Sequence, residues 1–249
     1  MEELYTTWKA IGVAGGDLSF FQDFFVKFYQ AFIEGDRWLQ YLNGVKTTLL
    51  VTALALILGI VLGVLVAMLR TAHDQQRPGH RNPILAVLNL ICKVYVTVIR
   101  GTPMMVQLLI MGFVIFASSR NFTMIGTLTL GINSGAYVSE IVRGGLMSVD
   151  KGQMEAGRSL GLNYMTTMRF IVIPQAVKAI LPALGNEFII LLKDIGGKEL
   201  LYAAQGIYNR TYEQMFPLIG TAALYLVLVI ILSWLLGKLE RRLRQSDRR

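Results

Sequence analysis

Long apolar runs separated by short polar segments dominate the sequence. Residues 47–69 contain no charge and no proline, and a helix of that length extends about 35 Å, which is enough to cross the hydrocarbon core of a bilayer. Four further apolar runs lie at residues 101–119, 121–139, 170–192 and 214–237. The pattern predicts an all-α polytopic membrane protein with five core transmembrane helices.

A segment of different pattern precedes the first apolar run. Between Asp17 and Arg37, phenylalanines recur at three- and four-residue steps, and polar side chains fall on the opposite side. This predicts an N-terminal amphipathic helix, which either lies on the bilayer surface or packs against other helices of the chain. The chain begins with the acidic sequence MEELY and lacks the basic segment of a signal peptide, so we expect this end to be retained.

Composition agrees with a membrane protein. The chain is 54% hydrophobic and only 16% charged, with a mean hydropathy of +0.52, which excludes a purely soluble protein. A single cysteine excludes a disulfide framework, and two histidines in a basic loop make a poor metal site, so we expect no metal and no cofactor. The net charge of +8 points to membrane orientation rather than to binding of nucleic acid.

The basic residues are distributed unequally between the two sides of the predicted membrane domain. Fourteen Lys and Arg lie in the loops and tail on one side, and seven lie on the other. Because cytoplasmic loops carry the excess of positive charge, we expect the C-terminus in the cytoplasm and the N-terminus outside. The chain then divides into an extracytoplasmic or interfacial segment (1–40), a transmembrane domain (41–239) and a basic cytoplasmic tail (240–249).

The polar stretch between the third and fourth predicted spans carries the strongest motif. Residues 155–161 read EAGRSLG, and after nine intervening residues, residues 171–174 read IVIP. The small residues predict a short helix near residues 150–162 with a low surface that another protein's backbone can approach, and Gly161 is placed to end this helix. The predicted docking residues are Glu155, Ala156, Gly157, Ser159, Leu160 and Gly161. An ordinary connecting helix packed on its own chain is the alternative.

This motif resembles the cytoplasmic signature of the membrane permeases of ATP-binding-cassette importers, which reads Glu-Ala-Ala, three residues, Gly, nine residues, Ile-x-Leu-Pro. The spacing matches throughout, with Gly157 and Ile173 in place of Ala and Leu. Residues 95–103, 134–145 and 181–188 are similar to the permeases for polar amino acids such as histidine, arginine, glutamine and glutamate, and the resemblance extends from about Asn43 to about Arg244. Such permeases usually continue after the equivalent of Asp194 through a Thr-Ser-Leu segment that this chain lacks.

The resemblance implies a membrane-spanning subunit of an ATP-driven importer in the bacterial cytoplasmic membrane. It implies that the motif is a coupling helix docked on an ATPase subunit, present in two copies, that a second permease subunit, identical or different, completes the pathway, and that an extracytoplasmic solute-binding protein delivers a polar amino acid. A membrane scaffold or a passive channel subunit is the alternative function.

The sequence itself offers no site for ATP hydrolysis. A phosphate-cradling loop needs Gly-Lys followed by Ser or Thr, whereas residues 196–199 read GGKE, and an acid at that point repels phosphate. No His, Cys or carboxylate pair recurs at catalytic spacing. We therefore expect no enzymatic activity, and expect that ATP is hydrolysed by a separate chain.

Polar residues within the predicted spans are candidates for the substrate pathway. A charge at mid-membrane is costly, so Glu187 should face protein or water, where it either contacts substrate or bonds to a neighbouring helix. Pro182 and Gly185 weaken its helix, which frees backbone carbonyls for a polar ligand. Arg100 either faces lipid headgroups or makes a gating or substrate-carboxylate contact. The predicted pathway residues are Arg100, Thr102, Gln107, Asn186 and Glu187.

Two further patterns concern helix packing. Gly59 and Gly63 form a GxxxG pair, which lets another helix come close either within the chain or across a dimer. Glu140 and Arg143 lie three residues apart, so we expect them to pair with each other or across a dimer.

Overall fold

The computed structural model describes residues 1–76, 82–194 and 199–245. These ranges contain helices, turns and bends and no β-strand, which confirms the all-α prediction. In chain order the α-helices are α1 (Glu2–Val13), α2 (Phe20–Phe32), α3 (Arg37–Asp74), α4 (Pro83–Gly101), α5 (Met104–Ile110), α6 (Phe122–Met147), α7 (Lys151–Ser159), α8 (Tyr164–Thr167), α9 (Ile173–Lys193), α10 (Leu200–Thr211) and α11 (Met215–Gln245). A π-helical turn follows α5, and another joins α8 to α9.

Four helical segments of the described chain are long and apolar enough to cross a membrane. They are Glu34–Asp74, Pro83–Gly101, Tyr164–Lys193 and Met215–Leu243. The spans predicted at residues 47–69 and 170–192 lie inside two of them, and the span predicted at 214–237 begins one residue before a third, Met215–Leu243. Helix α6 has 26 residues and is also long enough, but its Gly, Ser and Thr residues lower its hydropathy. It begins one residue after the start of the predicted span 121–139 and continues to Met147.

The second predicted span, 101–119, has the wrong bounds: within it only Met104–Ile115 forms an apolar helix, which is too short to cross a membrane, and the helix that is long enough precedes it. Helix α4 begins eighteen residues earlier, at Pro83, with Asn82 as its N-cap, and ends at Gly101. Thr102 is extended (φ −115°, ψ 143°) because the residue before a proline is disfavoured in the α conformation, and Pro103 has no N–H to continue the helix. Arg100 therefore lies at the end of an apolar helix rather than at the start of one.

Met1–Leu49 together with the described part of Gly197–Leu228 form one compact unit. Helix α2 begins after a capping box in which Ser19 and Gln22 bond to each other's backbone N–H groups. Tyr29 of α2 stacks on Tyr5 of α1 at 4.3 Å between ring centroids, whereas Phe20, on the other face of α2, is 77% exposed. The predicted amphipathic helix is confirmed, and one of its faces packs on its own chain.

In the same unit, α10 packs closely on α3. A Cβ at Gly44 would lie 2.7 Å from Leu200 Cα, so only glycine permits this approach. Leu200 N–H donates to Thr48 Oγ1 at 3.3 Å, and Leu200 and Ile207 are fully buried.

The second unit comprises Leu50–Gly196 and Val229–Arg249, in so far as these residues are described. Gly59 and Gly63 of α3 pack on α6, where a Cβ would lie 2.7 Å from Ser134 Oγ and 2.6 Å from Val138 Cγ1, respectively. Leu130 and Val138 of α6 are fully buried. The GxxxG pair is therefore used for packing within the chain.

Ion pairs at the end of α6 differ from the expected Glu140–Arg143 pair. Glu140 instead pairs with Arg70, and Arg143 pairs with Asp74 at 3.2 Å. Both new partners belong to the end of α3, so these charges tie α3 to α6.

Some sequence interpretations fall outside the described residues. Four of the fourteen basic residues counted for the orientation lie there, namely Arg77, Arg81, Arg248 and Arg249. So does the GGK sequence at residues 196–198, which was compared with a phosphate-binding loop. The proposed boundaries at residues 40 and 239 stay predictions.

Candidate functional site

The short helix α7 forms where the EAGRSLG motif predicted it. Asp150 caps its start, because the carboxylate accepts the N–H of Gly152 at 2.6 Å. Gly161 follows the end with a φ of +77°, a conformation that glycine adopts without strain, and its N–H donates to Arg158 O at 2.9 Å. The predicted role of Gly161 in ending this helix is confirmed.

The motif residues divide between two faces. Gly157 is buried, and a Cβ at this position would lie 2.5 Å from Thr167 Cγ2, so α7 packs through Gly157 on α8. This contact gives a physical reason for glycine where the signature has alanine. Glu155, Ala156, Ser159, Leu160 and Gly161 are exposed, and Leu160 is 78% exposed. We call these five exposed motif residues, of which Leu160 and Gly161 directly follow α7, the outer docking face after their predicted role.

A second group of polar side chains surrounds the break between α4 and α5. Gln107 Nε2 donates to Ile99 O at 2.7 Å, to Thr102 O at 3.1 Å and to Thr102 Oγ1 at 2.7 Å. One of these acceptors, the Ile99 carbonyl, lies in the last turn of α4 and lacks a helical partner because Pro103, four residues later, has no N–H. The Gln107 amide therefore replaces the backbone donor that the break removes.

The polar group continues into α6. Asn133 Nδ2 donates to Gln107 Oε1 at 3.0 Å, and the next residue, Ser134, donates through Oγ to Glu187 Oε1 at 2.9 Å. Glu187 is 5% exposed, and Ser134 is fully buried. Sequence reasoning missed both α6 residues, although an Asn-Ser pair inside an uncharged apolar run is a recognisable signal. We call Thr102, Gln107, Asn133, Ser134 and Glu187 the polar relay.

The other two predicted pathway residues lie beside this relay rather than within it. Arg100 places its guanidinium 5.1 Å from the centroid of the Tyr137 ring of α6, a cation–π contact. Asn186 is exposed.

The polar relay also borders a cavity of about 240 Å³ with mostly apolar walls, into which Thr102 and Gln107 bring polar groups. The arrangement supplies a carboxylate, a guanidinium and neutral amides within one set of packed helices.

The described residues contain no group of three or more His, Cys, Asp or Glu side chains placed to hold a metal ion. The prediction that the protein needs no metal or cofactor stays a prediction.

We expect Gln107→Leu to lower the thermal unfolding temperature of the purified protein, because it leaves the part-buried Ile99 carbonyl of α4 without its donor, and a buried unsatisfied group costs about 1–3 kcal/mol. The double variant Gln107→Asn with Asn133→Gln should unfold at a higher temperature than Gln107→Leu, since it keeps both amides and their combined length. Gln214→Leu, at an exposed glutamine, is the matched control. Equal unfolding temperatures for Gln107→Leu and the control would contradict this role of Gln107.

Comparison with known proteins gives a family match over most of the chain. Residues 84–245 match the family described as binding-protein-dependent transport system inner membrane component. This match includes α4 from Ile84 onward, the outer docking face and every residue of the polar relay.

Relatives that match most of the chain are named as glutamine permeases. The chain is 33% identical over 229 residues to the putative glutamine transport system permease protein GlnP of Rickettsia typhi, with 88% of this chain and 97% of that protein covered. It is 37% identical over 171 residues to the glutamine transport system permease protein GlnP of Escherichia coli K12, with 64% and 77% covered.

Solved structures share the fold. A crystal structure of an amino acid ABC transporter with histidines superposes with a TM-score of 0.72 at 39% identity, covering 82% of this chain and 94% of that chain. An inward-facing MetNI methionine ABC transporter superposes with a TM-score of 0.64 at 20% identity, covering 82% and 96%, respectively.

Proposed function

Because this chain belongs to the family of binding-protein-dependent transport system inner membrane components, we propose that it forms the translocation pathway for a polar amino acid, with glutamine as the first candidate. It is a permease component of an amino acid ABC transporter. The observation that carries the pathway proposal is the polar relay, which joins the broken helix α4–α5 to α6 and α9 within apolar segments.

The relay and its neighbours match the chemistry of a free amino acid. An α-ammonium group needs a carboxylate or carbonyl acceptors, and Glu187 supplies the carboxylate. An α-carboxylate needs a cation, and Arg100 supplies a guanidinium at the end of α4. The amides of Gln107 and Asn186 add donors and acceptors that suit a polar side chain. Thr102 adds a hydroxyl group at the break between α4 and α5, where the backbone is not helical.

The outer docking face is proposed to bind an ABC ATPase subunit. It is exposed on a helix that is capped at both ends, and its small residues let a partner approach closely. In the complete transporter two permease subunits, identical or different, would bind two ATPase copies, and an extracytoplasmic solute-binding protein would deliver the amino acid. ATP hydrolysis then belongs to the partner chain, and this subunit alternates its site between the two sides of the membrane.

Reconstitution tests the proposed function directly. Proteoliposomes that contain the permease, its ATPase and its binding protein should accumulate labelled glutamine when ATP is supplied. A passive channel subunit would equilibrate glutamine without ATP, and a membrane scaffold would move none. Either result would overturn the proposal. The same assay with histidine, arginine and glutamate would rank the substrates.

Orientation in the cytoplasmic membrane can be tested with single cysteines. In a Cys92→Ser background, Lys151→Cys should react with a membrane-impermeant thiol reagent only from the cytoplasmic side, and Arg120→Cys only from outside. Both positions are exposed, and the excess of basic residues motivates the assignment. Reversed labelling in intact cells and inverted vesicles would contradict an external N-terminus and a cytoplasmic C-terminus.

A further inference from the structure

The exposed face at the end of α11 changes from apolar to cationic side chains within a few turns. Ile231 and Trp234 are 49% and 64% exposed, and the same helical face continues through Lys238, Arg241 and Arg242, which are also exposed. The Lys238 ammonium lies 5.3 Å from the centroid of the Trp234 ring. An apolar stripe therefore runs directly into a cationic one.

The position of this stripe indicates what covers it. Met215–Leu243 is long and apolar enough to cross a membrane, so lipid chains are expected to cover the exposed side chain of Ile231. Tryptophan favours the level of the lipid headgroups, and the cationic side chains follow within one to two turns. We propose that Lys238, Arg241 and Arg242 form a binding site for the anionic headgroups of phospholipids such as phosphatidylglycerol. Opposite charge and continuity with the lipid-facing stripe both favour this occupant.

The opposite face of the same segment packs on the transport machinery. A Cβ at Gly185 of α9 would overlap Leu236, which shows how closely α11 and α9 approach. Glu240 and Leu243 line a cavity of about 510 Å³ together with Asp150, the N-cap of α7. Headgroups bound on the cationic face would hold this inner face against α9 and the start of α7. If the proposed function is correct, anionic lipid therefore supports coupled transport.

Quenching of tryptophan fluorescence tests the binding site without any transport assay. The chain has three tryptophans, so Trp8→Phe with Trp38→Phe leaves Trp234 as the reporter. The purified protein is mixed with brominated phosphatidylglycerol or brominated phosphatidylcholine. We expect brominated phosphatidylglycerol to reach half-quenching at a mole fraction at least about fivefold lower than brominated phosphatidylcholine. The reason is that each basic residue near an anionic surface increases the affinity for that surface about fivefold.

Three comparisons make the result decisive. Lys238→Gln with Arg241→Gln and Arg242→Gln should remove the preference for the anionic lipid. Lys93→Gln with Arg120→Gln and Arg210→Gln removes the same charge from exposed positions outside α11 and should leave the preference intact. In the protein that keeps Lys238, Arg241 and Arg242, about 0.5 M salt should abolish the preference for the anionic lipid, because salt screens the attraction between exposed charges. Equal quenching by both lipids, or a preference that survives loss of the three α11 charges, would overturn the proposal.

Because this readout needs neither ATPase nor substrate, it separates the lipid site from the proposed function. A protein that binds phosphatidylglycerol but transports no glutamine would refute only the transport proposal. A protein that transports glutamine without lipid preference would refute only the lipid site.

Discussion

Gly157→Leu is expected to abolish ATP-driven amino acid uptake while the chain still inserts in the membrane. A Cβ at this position would already lie 2.5 Å from Thr167 Cγ2, and Thr167 is fully buried. Leucine therefore fits only if α7 moves away from α8, and the outer docking face moves with it. Overpacking of this kind costs about 1–3 kcal/mol. Uptake into proteoliposomes and retention of the ATPase during affinity purification measure the loss.

A compensating pair tests whether the contact itself matters. Gly157→Ala places a methyl group against Thr167, and Thr167→Ala removes the two atoms that it would meet first. We expect the double variant to regain the uptake that Gly157→Ala loses. Gly144→Ala is the matched control, because a Cβ there has no neighbour within 4 Å. Normal uptake by Gly157→Leu would mean that α7 is only a connecting helix.

Glu187→Gln is expected to lower uptake roughly tenfold to a hundredfold, because a charge-assisted hydrogen bond is worth about 1.5–3 kcal/mol. The glutamine keeps the shape and can still accept the hydrogen bond that Ser134 donates at 2.9 Å, but it lacks the charge that a substrate ammonium needs. The KM and maximal rate of uptake, measured for arginine and for glutamine, report the change. The loss should be greater for arginine if Glu187 binds the substrate side chain.

Ser134→Ala is the companion variant for Glu187. It removes the hydrogen-bond donor and leaves the negative charge, so substrate binding by Glu187 predicts a smaller loss of uptake for Ser134→Ala than for Glu187→Gln. A purely structural bond between α6 and α9 predicts the reverse, since Glu187→Gln preserves that bond. Failure of Glu187→Gln to elute as a folded protein in size-exclusion chromatography would also assign Glu187 a structural role. Unchanged uptake would place Glu187 outside the pathway.

The sequence was sufficient to predict features that depend on local composition. Residues 47–69 are apolar throughout, so their span needed no tertiary information, and the end of α7 followed from the conformational freedom of Gly161. The start of α4 was missed because Lys93 and Arg100 interrupt the uncharged pattern. The structure shows that a helix can keep enough apolar surface around two such cations, whose long side chains are exposed.

The candidate site was less predictable because its residues come from different helices. The sequence predicts Gln107 as a pathway residue, but its bond to the Ile99 carbonyl at the end of α4 depends on how the chain turns at Pro103. Asn133 and Ser134 are neighbours in sequence whose side chains contact two different helices, which periodicity alone does not indicate. The sequence alone also leaves open whether Gly157 faces a partner or its own chain, because the answer depends on where the fold places Thr167.

The continuous helical segment Tyr164–Lys193 connects the two parts of the site mechanically. Thr167, near its beginning, touches the position of Gly157 on α7, and Glu187 lies about 30 Å further along the helix axis. If the segment tilts as one rod, in spite of the π-helical turn Met168–Val172 and of Pro182 within it, a tilt of about 10° at the end near α7 displaces Glu187 by about 5 Å. Hydrogen bonds tolerate only a few tenths of an ångström, so a tilt this small would be enough to separate Glu187 from Ser134.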